Sequence, residues 1–338
     1  MMEEHQLGGK LLAGVSRSFY LTLKALPEGL REPLSVAYLM ARAADTIADT
    51  GGVPESLKKE GLERYNQLVQ QAERDVQGEA ELRQRLVEQF VPFQSDEDEA
   101  TLLHRLDELF AAYRDAPPIQ WEAMRAVLEP IVRGQLLDIE RFPVDGQVRA
   151  LATAQDLDEY TWLVAGCVGE FWTKLCIQVL GADFAPGFTE AQMIECGICF
   201  GKGLQLVNIL RDIQKDLRLG RCYFPLEDLA SHGLDLASVQ ADPSLLRAVT
   251  PPWEKRCTEY LESAVDYVEA LSHRRLKYAT ALPMMLGIRT LADIKAASWE
   301  KRLQGVKVTR GEVGKILFDA GVAVVRKGGV QKWAEARR

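Results

Sequence analysis

Apolar residues recur along this chain at spacings of three and four, and strict alternation of apolar and polar positions is scarce. That periodicity is the mark of amphipathic helices rather than strands. It predicts helices over 31–49, 56–76, 80–93, 98–114, 120–141, 155–180, 189–218, 234–247, 252–272, 277–302 and 310–326. Helix breakers fall between them: Gly51-Gly52, Pro117-Pro118, Pro143, Gly181, Pro186-Gly187, Gly220, Pro225 and Pro251-Pro252. No tandem repeat and no Gly/Ser-rich linker divides the chain. The expectation is therefore one all-α domain over 1–338, its helices surrounding a central space, with a basic tail over 326–338. The acidic run from Ser95 to Glu99 reads as a helix start, where negative charge complements the helix dipole, rather than as a metal site.

Two of the predicted helices carry a polar stripe through apolar surroundings. The first reads Tyr38-Leu-Met-Ala-Arg42-Ala-Ala-Asp45-Thr-Ile-Ala-Asp49, the second Gln205-Leu-Val-Asn208-Ile-Leu-Arg211-Asp212-Ile-Gln-Lys-Asp216. Positions three and four apart share a helix face. Tyr38, Arg42, Asp45 and Asp49 thus form one stripe, and Gln205, Asn208, Asp212 and Asp216 another. Four carboxylates on the inner faces of apolar helices are costly unless a cation meets them. Carboxylates at i and i+4 suit hard divalent cations such as Mg²⁺, which takes oxygen ligands and bridges carboxylate to phosphate. Asn208 adds a neutral oxygen. Arg42 and Arg211 can bind phosphate oxygens or brace the carboxylates. The set suits a diphosphate leaving group, whose developing charge metal ions neutralise. A single Asp-x-x-x-Asp is common on exposed helices; two copies, each preceded by Arg and embedded in apolar sequence, favour a metal site.

Composition narrows the picture. A net charge of −8 disfavours a nucleic-acid partner. No N-terminal apolar run has the length of a signal peptide, and no stretch approaches the ~20 apolar residues of a membrane span. The six cysteines then read as reduced thiols of a cytoplasmic chain, Cys196-Gly-Ile-Cys199 included.

Five blocks, in order, resemble the squalene/phytoene synthases, the head-to-head trans-isoprenyl diphosphate synthases. They are Ser16-Arg17-Ser18-Phe19, the Asp45–Asp49 motif, Tyr160-Thr-Trp-Leu-Val-Ala-Gly166-Cys-Val-Gly169, the Gln205–Asp216 motif, and Gly220-Arg221-Cys-Tyr223-Phe-Pro225. The resemblance runs from about residue 11 to about residue 315. It implies an all-α isoprenoid-synthase helical bundle around a deep central cavity. It also implies a reaction in which two farnesyl or geranylgeranyl diphosphates bind with Mg²⁺ (or Mn²⁺ in its place). One ionises, the double bond of the other attacks, and a cyclopropylcarbinyl diphosphate forms and rearranges to a C30 or C40 hydrocarbon.

Position by position, the resemblance implies that Asp45, Asp49, Asn208, Asp212 and Asp216 hold the metal. Ser16, Arg17, Arg42, Gln205, Arg211 and Arg221 would meet diphosphate. Phe19 would flank the reacting carbons, and Tyr38 and Tyr160 would sit by the cations as dipoles or proton-transfer groups, since aromatic faces stabilise such charge. Two departures stand out: Ala48 replaces an acidic residue that some members carry, and Thr161 replaces a Cys.

Within the family the expectation is the squalene branch, in which hydride from NADPH ends the reaction. The segment Gln304-Gly-Val-Lys307-Val-Thr-Arg310-Gly-Glu resembles a basic stretch of squalene synthases, so Lys307 and Arg310 are candidate cofactor contacts. The carotenoid branch, which makes dehydrosqualene or phytoene without hydride transfer, stays open. So do a head-to-tail prenyl elongase and a noncatalytic helical partner. The basic tail with Trp333 offers a peripheral contact with the inner membrane face for product release.

Overall fold

The computed structural model describes residues 7, 9–16 and 19–337. The chain divides into two compact units, 1–140 and 141–338. Among the described residues both are built of helices, with only a two-residue strand pair in the second; the all-α class read from the periodicity is what is observed.

The first unit contains α1 (Lys10–Ser16), α2 (Phe19–Ala25), α3 (Arg31–Asp49), α4 (Glu55–Gln70), α5 (Val76–Gln89), α6 (Glu97–His104), α7 (Leu106–Arg114) and α8, which spans Pro118–Arg141. Its core forms where α3, α4 and α7 meet. Leu39, Met40, Ile47, Tyr65, Phe110 and Tyr113 are fully buried there. Buried tyrosine hydroxyls need partners. Tyr65 donates to the Met40 carbonyl at 2.8 Å and Tyr113 to that of Val69 at 3.1 Å. The acidic run does open a helix: the Asp96 carboxylate accepts from the backbone N–H groups of Asp98 and Glu99 at the start of α6.

The second unit contains β1 (Arg149–Ala150), α9 (Ala154–Thr161), one turn of π-helix (Trp162–Gly166), α10 (Cys167–Leu180), α11 (Glu190–Arg211), α12 (Ile213–Arg218) and β2 (Arg221–Cys222). Then follow α13 (Leu226–Ser231), α14 (Leu236–Ala241), α15 (Thr250–Ala270), α16 (Arg274–Ala296), α17 (Trp299–Gln304), α18 (Arg310–Ala323) and α19 (Gly329–Glu335). Helix α11 is the central rod, packed by α10, α15 and α16. Glycines set its distance from α10. A Cβ on Gly169 would lie 1.9 Å from the Gly197 carbonyl oxygen, and one on Gly201 2.1 Å from that of Ala165. The two backbones touch, and no side chain fits between them.

Several predicted helices are split. The 98–114 stretch turns at Arg105, 189–218 at Asp212, and 277–302 at Ala297–Ser298, where Ser298 caps α17 by accepting from the Lys301 N–H. Helices α1, α2, α13 and α19 were not predicted. Two core helices also come closer to a spanning helix than the sequence suggested. Ala154–Leu180 and Glu190–Arg211 are long and apolar enough to cross a membrane by length and composition, with mean hydropathy 1.4 and 1.3. They are joined by an ion pair, Lys202 to Asp158 at 2.7 Å.

The C-terminal tail is folded rather than free. Trp333 is buried in α19 and donates from Nε1 to Asp319 at 3.0 Å, and Arg337 stacks on its ring while pairing with the same carboxylate at 2.9 Å. These partners hold the ring within the fold.

Candidate active site

In the first unit the polar stripe falls where α3 is open. Between Pro33 and Thr50 every side chain is buried except Tyr38, Ala41, Arg42, Asp45 and Asp49. The Tyr38 ring lies 5.3 Å from that of Phe19 on α2, and its hydroxyl donates to the Val15 carbonyl of α1 at 3.1 Å. Phe19 of the first block and Tyr38 of the first stripe thus lie side by side. Ser16 is buried and its hydroxyl donates back to the Leu12 carbonyl of its own helix, so in this structure it does not present a free donor. Arg17 lies outside the described residues.

Asp45 is hemmed in by protein yet open over 33% of its side chain. Burial, aided by the charge of Asp49, pushes its carboxyl up to about 7, against Arg42 and a hydrogen bond donated by Gln135. Arg42 approaches Asp45 at 3.9 Å and pairs more closely with Glu99 of α6. Burial works against its charge, and the carboxylates of Glu99 and Asp45 more than offset it. Its Nε is buried with no hydrogen-bond partner. This stripe is therefore a guanidinium with a spare donor beside a carboxyl short of positive charge.

The second unit repeats the arrangement on α11 and α12. Gln205 is half-buried, Asn208 exposed, and Arg211, Asp212 and Asp216 half-buried. Asn208 Nδ2 donates to the Gln205 side chain at 3.2 Å. The stripe does not lie on one continuous helix, because α11 ends at Arg211 and α12 begins at Ile213. Asp212 stands at the joint with φ −100° and ψ 14°. The spacing survives, since the Asp212 N–H still bonds the Asn208 carbonyl and the Asp216 N–H that of Asp212, both at 2.9 Å. Arg211 grips Asp212 with two hydrogen bonds, Nε–Oδ1 at 2.9 Å and Nη2–Oδ2 at 2.6 Å. The counter-charge demanded by the half-buried Asp45 and Asp212 comes in part from the arginines themselves.

Tyr160, at the end of α9, is buried and stacks on Tyr223, with centroids 4.8 Å apart, an interplanar angle of 22° and hydroxyls 3.2 Å apart. Phe142 packs edge-on against Tyr223 at 5.2 Å. The π-turn follows Tyr160 directly, and such turns gather at functional sites. Arg221 lies on β2, whose parallel pairing with β1 sets it beside Arg149. Gly220 makes the turn before it at φ +80°, where a Cβ would stand 2.9 Å from the Gln147 carbonyl oxygen. Lys307 and Arg310 are exposed, at the connection into α18 that the buried Val306 anchors.

Glu99, Gln135 and Tyr223 were not read from the sequence as site residues. Glu99 lay inside an acidic run that resembles a solvated helix start, although its side chain is only 16% exposed. Gln135 is one of two glutamines on a long helix, with nothing in its spacing to set it apart. Tyr223 sits on an irregular segment where periodicity gives no signal.

Among the described residues no three Asp, Glu, His or Cys side chains converge as a closed metal cage. The donor set nonetheless fits Mg²⁺, which keeps waters and is commonly held by one or two carboxylates together with substrate phosphate. Paired hard oxygens, a carboxyl raised by burial and by its neighbour's charge, and adjoining arginines are what such a centre needs.

The squalene/phytoene synthase family model matches residues 12–312. A squalene synthase from Candida albicans is 24% identical over 320 residues, covering 92% of this chain and 66% of that protein. This chain thus spans just under two thirds of that relative's length. A presqualene diphosphate synthase from Rhodopseudomonas palustris is 29% identical over 283 residues, covering 80% of this chain and 79% of its own. Among solved structures, ligand-bound TcSQS superposes with a TM-score of 0.76 at 20% identity, covering 99% of this chain and 90% of that one. At that identity the likeness speaks for the fold, and the family model speaks for descent. This chain belongs to the squalene/phytoene synthase family.

Proposed function

We propose that this chain is a Mg²⁺-dependent transferase that joins two farnesyl diphosphates head to head and then reduces the cyclopropylcarbinyl diphosphate with NADPH to give squalene. One observation carries the reading. In a chain matched by the family model over 12–312, the Arg- and Asp-bearing stripe of α3 lies among the few open positions between Pro33 and Thr50, and a second Arg- and Asp-bearing stripe recurs, half-buried, on α11 and α12. Asp45, Asp49, Asn208, Asp212 and Asp216 would hold Mg²⁺, which when bound neutralises charge on the departing diphosphate. Arg42, with its spare Nε, and Arg211 and Arg221 bind diphosphate oxygens. Phe19, Tyr38 and the Tyr160–Tyr223 stack supply aromatic faces that steady a carbocation without capturing it. Their apolar surroundings exclude water, which would quench it. Lys307 and Arg310 are exposed cations suited to the phosphates of NADPH, which when bound supplies hydride.

A second reading has its own support: the Rhodopseudomonas relative matches over four fifths of both chains and is named for the cyclopropylcarbinyl product. In that reading the reaction stops at presqualene diphosphate. Incubation with farnesyl diphosphate and Mg²⁺, with and without NADPH, separates the cases. A C30 hydrocarbon formed only with NADPH supports squalene synthesis. Accumulation of the diphosphate in both arms supports the second reading, and a hydrocarbon without NADPH the carotenoid branch. No turnover of any prenyl diphosphate overturns the enzymatic reading.

A further inference from the structure

Helix α18 presents two unlike faces. Ile316, Ala320 and Ala323 are buried on one side. Opposite them at helical spacing lie Gly311, Gly314, Lys315 and Phe318. Phe318 is 73% exposed, and Val325, in the turn after the helix, 59%. Lys315 is exposed on this side, and Arg326 and Lys327 are exposed directly after Val325.

The acids of the same segment are used elsewhere. Between Arg310 and Lys327 they are Glu312 and Asp319. Glu312 closes the capping box with Thr309 and pairs with Arg289 at 2.6 Å. Asp319 holds Trp333 and Arg337. On a chain of net charge −8, the segment turns its carboxylates inward and leaves a large aromatic ring ringed by cations outside.

We propose that this face of α18, with the turn through Lys327, docks on an anionic phospholipid bilayer. The ring of Phe318 and the side chain of Val325 enter the headgroup boundary, while Lys315, Arg326 and Lys327 meet lipid phosphates. Charge complementarity selects this occupant. A two-fold pairing with a second copy would set Lys315 of one against the same face of the other with no acid to answer it. The surface shares Arg326 and Lys327 with the basic tail that the sequence suggested, but its apolar part is Phe318 and Val325 rather than the buried Trp333.

The test is co-sedimentation of the full chain with phosphatidylcholine vesicles, with and without phosphatidylglycerol. Binding is expected only to the anionic vesicles and should weaken as salt rises. Reversing Lys315, Arg326 and Lys327 to Glu together is expected to weaken it at least about a hundredfold, from roughly fivefold per cation lost with repulsion added. Phe318→Ser should weaken it about tenfold. As a second measurement, Phe318→Trp should be quenched by brominated lipid beyond the wild-type signal. Equal binding to neutral vesicles, charge-reversed protein that binds like wild type, or an unquenched Phe318→Trp would overturn the proposal. So would a dimer in ultracentrifugation that Phe318→Ser dissociates, since the face would then belong to a second copy.

Discussion

Asp45 shows how a single side chain can be held against its own ionisation. Its carboxyl titrates at about 7 in the folded chain, against about 3.9 in an unfolded one. The favourable contribution is complete below the unfolded value and is lost as pH rises through 7. Metal-free Asp45→Asn is therefore expected to be at least as stable as wild type at pH 8, with the difference shrinking toward pH 5 in urea titrations. Its turnover should fall about a hundredfold or more, since a group that answers charge in the transition state is gone. Near-normal turnover in Asp45→Asn or Asp212→Asn would remove the metal assignment. Glu99 acts in the opposite direction, as a carboxylate that keeps Arg42 in place. Glu99→Ala should lower the unfolding free energy by about 1.5–3 kcal/mol, the range for hydrogen bonds to charged groups. A loss near zero would mean that the Arg42 contact is idle.

Long elements with many turns of repeat were readable from the chain. Helix α3 was predicted as 31–49 and is observed as Arg31–Asp49, because apolar positions run through five turns and Gly51-Gly52 ends them. The joint at Asp212 was not readable, because the hydrophobic repeat continues across it while the backbone alone changes. The break before α17 depends on one serine cap, and α1 and α2 are too short for a period to register. The glycines were equally silent. Gly169, Gly197 and Gly201 look like weak points in apolar helices until the touching backbones of α10 and α11 are seen. Gly169→Val should therefore destabilise the fold by about 1–3 kcal/mol or more and depress activity with it, because α11 carries Asn208 and leads into Asp212. Thermal unfolding and turnover measured on the same preparation check both; an unchanged melting temperature would refute the close approach.

At the scale of the molecule, the two stripes were legible because polar residues at helical spacing stand out in apolar helices. Glu99 was not, since it reaches Arg42 from another helix, and neither was Tyr223, which meets Tyr160 from 63 residues further along the chain. Ligand linkage is the corresponding whole-molecule prediction. Mg²⁺ with a diphosphate analogue binds only the folded chain, so at a hundred times its Kd it should add about 2.7 kcal/mol. The gain should be larger at pH 8 than at pH 5.5, where a proton competes at Asp45; chelator should abolish it. The π-turn over Trp162–Gly166 carries a further meaning. It holds one residue more than an α-helix would at that point, so it acts as a register insert in a rod that is otherwise free to slip. Deleting Val164 should let the rod close as plain α-helix, with α10 still seated on α11 through its glycines. Everything before the deletion would then turn by about 100°, carrying Tyr160 off Tyr223. A folded protein that has lost its aromatic stack and its activity together is the expected phenotype, reached without replacing any residue of the site.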